Sequence, residues 1–226
     1  MFIVLVVLYI VMAGLTISYM YSREQKEYAA MKTITCALYL MIGFYSFMKT
    51  KDPMYLDFLP AYCLCFAGDV MLANCKGANG IIKRKPFGMG AVAFAFAQIV
   101  FGIEYLKIND WHFGILPIIG AALLGIGTII ASRSNHFNYG KNVVICTIYG
   151  CIVGSIGGLG IQTLIYHADQ GVYVILLGIA AIVFACSDTV LALKYFTVKK
   201  ADWFGAFELS TYYIAMLLLS SFYLVK

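Results

Sequence analysis

Four ionisable side chains interrupt stretches that otherwise read as hydrocarbon. Asp69 lies in "CFAGDVMLANCK" (65–76) and Asp188 in "FACSDTVLALKYF" (184–196); Lys32 and Glu208 each open an apolar run a few residues after a basic loop. A charged residue costs about 2.5–3.5 kcal/mol at the centre of a membrane helix and less near the interface. Such residues therefore face a bundle interior or a watery cavity, where they bind polar groups or relay protons. Pairing Lys32 with a carboxylate would offset part of the cost. The competing account is structural: Lys32 is long enough to snorkel to the headgroups, and a buried ion pair can serve packing alone. Asp69 and Asp188 have short side chains that reach less far, which favours a polar functional site.

The elements that must carry these residues are membrane helices. Hydrophobic residues are 62% of the 226 and charged residues 12%, against about 45–50% and about 25% in soluble domains. The apolar residues fall in eight blocks, roughly 2–21, 29–48, 55–75, 87–106, 112–131, 142–166, 171–193 and 204–225. About 20 residues at 1.5 Å rise cross a bilayer core. Strand-type alternation is absent, which disfavours a β-barrel, and a helical bundle satisfies its backbone within each span. The expectation is an all-α polytopic bundle of about eight transmembrane helices, forming one integral membrane domain over 1–226. The first block has no basic residues before it and no A-x-A pattern after it, so it reads as a retained helix, not a signal peptide. The segments Asp69-x-x-Leu72-Ala73 and Asp188-x-x-Leu191-Ala192 lie four spans apart and run in the same sense. A tandem duplication of four-helix halves would explain this, as would chance.

Eight spans put both termini on one side. The terminal-side loops carry Lys49, Lys51, Lys107 and Lys226; the opposite loops carry Arg23, Lys26, Lys76, Lys83, Arg84, Lys85, Arg133, Lys141, Lys194, Lys199 and Lys200. The richer side faces the cytoplasm by the positive-inside rule, so both termini are expected outside, in the plasma membrane. The net charge of +5 is accounted for by orientation and anionic lipid headgroups, without nucleic acid. On this arrangement Lys32, Asp69, Asp188 and Glu208 each lie roughly 9–12 Å along their helices from a cytoplasmic basic residue, at one depth. Glu104, near the outer end of the fourth span, reads as interfacial.

Several chemistries are disfavoured. His112, His136 and His167 fall in or beside loops and no H-E-x-x-H occurs, so a zincin is not expected. There is no G-x-S-x-G elbow and no G-x-x-x-x-G-K-[ST] phosphate loop. "FAGD" lacks the first glycine of the intramembrane aspartyl protease G-x-G-D, because Phe66 occupies it. Cys63 and Cys65 do not form C-x-x-C, and the seven cysteines read as small buried apolar residues. Gly150, Gly154 and Gly158 recur at four-residue intervals and predict a close helix-packing face.

Taken in order, Lys32, "FAGDVMLA" (66–73), "GMGAVAFAFAQIVFGIEY" (88–105), "ACSDTVLALKYF" (185–196) and "ELSTYYIAMLLLSS" (208–221) resemble the YhhN-like family, whose characterised animal members are lysoplasmalogenases. The resemblance covers most of the chain, its length and its span number. It departs in the fourth span, where the family pattern F-x-x-A-H-x-x-Y becomes Phe94, Ala97, Gln98 and Phe101. Glutamine hydrogen-bonds but does not titrate near neutral pH, so any proton step assigned to that histidine is lost or reassigned here.

The resemblance implies cleavage of the vinyl ether of a lysoplasmalogen or related lysophospholipid, with no metal or organic cofactor. An acid protonates the alkene carbon, water attacks the oxocarbenium ion, and the hemiacetal collapses. Asp69 and Asp188 are the implied acid/base pair, with neither order preferred. Lys32 either holds a carboxylate ionised or binds the substrate phosphate, and Gln98, Glu208, Tyr212 and Tyr213 are the implied pocket residues, with the headgroup toward "KGANGIIKRKP" (76–86). Two other functions fit the residues: a proton-coupled transporter or channel of small molecules or lipids, and a non-catalytic lipid-binding membrane protein.

Overall fold

A computed structural model describes residues 1–21, 25–75, 84–199 and 201–226. Of the basic residues that orient the chain, Arg23, Lys76, Lys83 and Lys200 lie outside the described residues, as does most of the 76–86 segment. The helices are α1 (Phe2–Met20), α2 (Gln25–Thr50), α3 (Met54–Ala73), α4 (Arg84–Ile108), α5 (Ile115–Ser132), α6 (Val143–Tyr166), α7 (Val172–Phe196) and α8 (Trp203–Ser221). Among the described residues, 8 helices are long and apolar enough to cross a membrane. There are no strands there, only an isolated antiparallel bridge between Phe137 and Thr197. The protein is a multi-pass, all-α membrane bundle. The glycine-rich sixth block forms a continuous helix, α6, because its glycines are taken up in packing.

The chain divides into two compact units, Met1–Val100 with Ser220–Val225, and Phe101–Leu219 with Lys226. The division falls inside α4 and near the end of α8, so the units are not two sets of four whole helices. Asp69 belongs to the first and Asp188 to the second.

In the first unit, α2 packs against both α1 and α3. Thr16 and Thr35 share a buried 2.8 Å hydroxyl–hydroxyl hydrogen bond between α1 and α2. Interhelical polar bonds of this kind replace the hydrophobic driving force that is missing between helices in lipid. The packing of α3 on the start of α4 rests on two glycines. A Cβ at Gly68 would lie 2.7 Å from the Phe94 ring, and one at Gly90 would lie 2.9 Å from Leu72 and 3.2 Å from the Gly68 carbonyl. At the N-terminal end of α3, Tyr55, Phe58, Tyr62 and Tyr223 form a buried aromatic cluster, closed by a 2.9 Å hydrogen bond between the hydroxyls of Tyr62 and Tyr223.

In the second unit, α6 is the central helix, packed on α5 and α7. The Gly150, Gly154, Gly158 face is the α5 contact. A Cβ at Gly154 would fall 2.1 Å from the carbonyl oxygen of Gly120, and one at Gly158 2.4 Å from that of Leu116. Gly160 and Gly178 bring α6 and α7 together in the same way, each Cβ position lying within 2.9 Å of the other's carbonyl. A satisfied polar knot fixes the α4–α5 turn. The Gln162 amide donates to Asn109 Oδ1 at 3.2 Å and to the His112 carbonyl at 2.8 Å, and its Oε1 accepts from the Gly114 N–H at 3.1 Å. The Asn109 amide in turn donates to Thr163 Oγ1 at 2.7 Å. With its partners supplied, this knot reads as structural.

Candidate functional site

In the first unit the site begins with the spacing of α2. Lys32 and Cys36 are four residues apart, so they stack on one helix face. Both point at α3 and meet the same carboxylate. Lys32 Nζ lies 3.0 Å from Asp69 Oδ1, with side-chain exposures of 5% and 1%. The Cys36 thiol donates to Asp69 Oδ2 at 3.1 Å. Each carboxylate oxygen thus has its own donor. The buried phenol of Tyr9, on α1, lies within electrostatic range of the Asp69 carboxylate. The glycine that precedes the aspartate serves packing instead, because Gly68 lets the Phe94 ring close over α3.

Gln98, in the same unit, is fully buried on α4 one turn beyond Phe94. Glu104, farther along α4, is 4% exposed and accepts from Lys107 at 2.8 Å; the Lys107 side chain is 41% exposed. That is an ion pair reaching from buried carboxylate to surface amine, consistent with a helix end.

In the second unit, Asp188 on α7 is 3% exposed, and the hydroxyl of Tyr149 on α6 donates to its Oδ2 at 2.7 Å. Ser187, the adjacent residue, donates to the Glu208 carbonyl at 2.9 Å, so α7 and α8 hold Asp188 and Glu208 near one level. The Glu208 carboxylate pairs with Lys194 at 2.9 Å. Lys194 is therefore not a loop residue as the sequence suggests. It lies in the last turn of α7, which runs to Phe196, and its amine turns back to a buried carboxylate. Tyr212 and Tyr213 are each 3% exposed. Tyr212 stands edge-on to Phe184, which in turn stands edge-on to Phe101.

Two side chains escaped the sequence reading. Tyr149 carries no local motif; its signal is a phenol within an apolar span, which needs a partner when buried. Cys36 reads from sequence as a small apolar thiol, yet its position one turn from Lys32 places it on the polar face. The expectation that all seven cysteines are buried needs correcting: Cys63 on α3 and Cys186 on α7 are exposed, and Cys146 and Cys151 on α6 are only partly buried. Among the described residues, no group of three or more His, Cys, Asp or Glu side chains is placed to hold a metal ion.

What this arrangement can do chemically is bind polar groups and transfer protons from carboxyl, thiol and phenol groups kept away from lipid. Searches of curated proteins and of solved structures give no match to this chain. The model of the YhhN family matches residues 28–221, from the first turn of α2 to the end of α8. The matched stretch contains Lys32, Cys36, Asp69, Gln98, Tyr149, Asp188 and Glu208, and the chain belongs to the YhhN family.

Proposed function

We propose that this protein is a membrane-embedded hydrolase that cleaves the vinyl ether bond of a lysoplasmalogen, releasing a fatty aldehyde and a glycerophospho-headgroup. The observation that carries the reading is the pair of aspartates, Asp69 and Asp188, buried to 1% and 3% exposure on membrane-spanning helices of a YhhN-family chain. Buried carboxylates are the groups that such an acid-catalysed cleavage requires. One carboxylic acid gives its proton to the alkene carbon, leaving an oxocarbenium ion. The other carboxylate accepts a proton from the attacking water, and the hemiacetal then collapses to aldehyde and alcohol. No redox step and no cofactor enters this balance.

On this reading the substrate is a single-chain ether lipid entering sideways from the cytoplasmic leaflet, in a plasma-membrane protein with both termini outside. Lys32, held on Asp69, keeps that carboxylate company with a positive charge; Gln98, Glu208, Tyr212 and Tyr213 serve substrate binding. The test is incubation of the purified protein in detergent with a panel of lysolipids, followed by mass spectrometry of the products. Asp69→Asn and Asp188→Asn are expected to abolish aldehyde release while leaving the fold intact. Full activity in both variants, or no turnover of any lysolipid by the wild type, sinks the proposal.

The intramembrane Lys32–Asp69 pair also favours a second reading, a proton-coupled transporter. The same assay separates the two, because a hydrolase works in detergent and a transporter needs a sealed bilayer.

A further inference from the structure

The Tyr149–Asp188 contact carries an inference that deepens the hydrolase reading and rests on it. Tyr149 lies on α6 and Asp188 on α7, two helices drawn together by Gly160 and Gly178 and by Gly157, whose Cβ position lies 3.1 Å from that of Ala185. Across this seam the Tyr149 hydroxyl reaches Asp188 Oδ2 at 2.7 Å. That separation is the usual one for a well-formed O–H···O bond. Asp188 is nearly fully buried, whereas Tyr149 is partly exposed.

A carboxyl group has two oxygens, and a proton transfer uses one of them. A fixed donor on Oδ2 sets the rotation of the carboxyl plane. When Asp188 loses a proton, the negative charge that appears is met by a hydrogen bond already in place, so no reorganisation is needed at that moment. When it gains one, the phenol oxygen stays where it is. Bond and charge counts close without any further reactant.

We propose that Tyr149 is the positioning residue for Asp188, fixing the plane of its carboxyl group and stabilising its ionised form through the phenol–Oδ2 hydrogen bond. Tyr149 need not touch the lipid to do this.

The experiment has a spectroscopic arm and a kinetic arm, both on the full chain purified in detergent. In the infrared, the difference between wild type and Asp188→Asn marks the Asp188 carboxyl band of the resting protein. Tyr149→Phe is expected to shift that band, and Thr147→Val, a change on the same helix, is expected to leave it in place. In the assay for aldehyde release, Tyr149→Phe should lower kcat about ten- to a hundredfold, the range for losing a hydrogen bond to a charged group, with KM nearly unchanged. A 3-fluorotyrosine placed at position 149 keeps the shape and makes the phenol a stronger donor; it should shift the band as well, and it stands in if the phenylalanine variant does not fold. An unmoved band overturns the inference, and so does wild-type kcat in Tyr149→Phe while Asp188→Asn is inactive. If the wild type turns over no lysolipid, the hydrolase reading fails on its own, and the infrared arm still decides whether the phenol holds Asp188.

Discussion

Lys32 and Asp69 meet at 3.0 Å with 5% and 1% of their side chains exposed. Two charges that would each be costly in lipid are therefore matched within one pair of helices, and α2 and α3 are tied at a defined register. Removing one partner of a buried pair strands the other, which costs about 3–5 kcal/mol, whereas replacing both by apolar groups is often neutral.

Lys32→Met alone is accordingly expected to lower stability by about 3–5 kcal/mol, and the double variant Lys32→Met/Asp69→Leu to recover most of that loss. Thermal unfolding in detergent, read by the fraction of monodisperse protein, measures both. Additive losses in the double variant would show that the pair is not coupled. Lys194→Met should be milder, because Lys194 is 19% exposed and leaves Glu208 nearer to water.

Cys36 supplies the second donor to Asp69. Cys36→Ser keeps a donor at that place and should be tolerated. Cys36→Val fills similar space but leaves Oδ2 without its thiol, at a cost of about 1–3 kcal/mol. The comparison is again by thermal unfolding, and a valine variant as stable as the serine variant would reduce the thiol to a space-filler.

The glycine of "FAGD" is expected to be a packing requirement rather than part of the chemistry. Gly68→Ala drives a methyl to within 2.7 Å of the Phe94 ring, an overpacking that costs about 1–3 kcal/mol. Adding Phe94→Leu should restore stability. If the second change brings no recovery, the glycine matters for another reason.

On the α5–α6 seam, Gly154→Ala must force two backbones apart, since its Cβ would lie 2.1 Å from the Gly120 carbonyl oxygen. A sharp drop in folded yield is expected. Gly127→Ala, on the neighbouring α5 helix, meets nothing within 4 Å and should be neutral or stabilising by about 0.5–1 kcal/mol from helix propensity. Expression and detergent stability of the two variants side by side decide the matter, and equal behaviour would contradict the seam.

The glycines of this seam show where sequence reading stops. Gly150, Gly154 and Gly158 announce a packing face by their spacing alone, because four residues bring side chains back to one side of a helix. That Gly120 of α5 is the partner, and that Gly127 is not, depends on register between helices, which no local pattern encodes.

Sequence by itself determined the number and extent of the spans, since hydrophobic length against bilayer thickness is a local property of the chain. It also singled out Lys32, Asp69, Asp188 and Glu208, because a charge inside an apolar run is conspicuous wherever the helix finally sits. Only the tertiary structure decided the partners: Lys32 and Cys36 on Asp69, Tyr149 on Asp188, Lys194 on Glu208. A hydrogen bond or ion pair depends on ångström-scale distance between helices far apart in sequence. Tyr149 and Cys36 look like ordinary span residues until neighbouring helices bring a carboxylate to them.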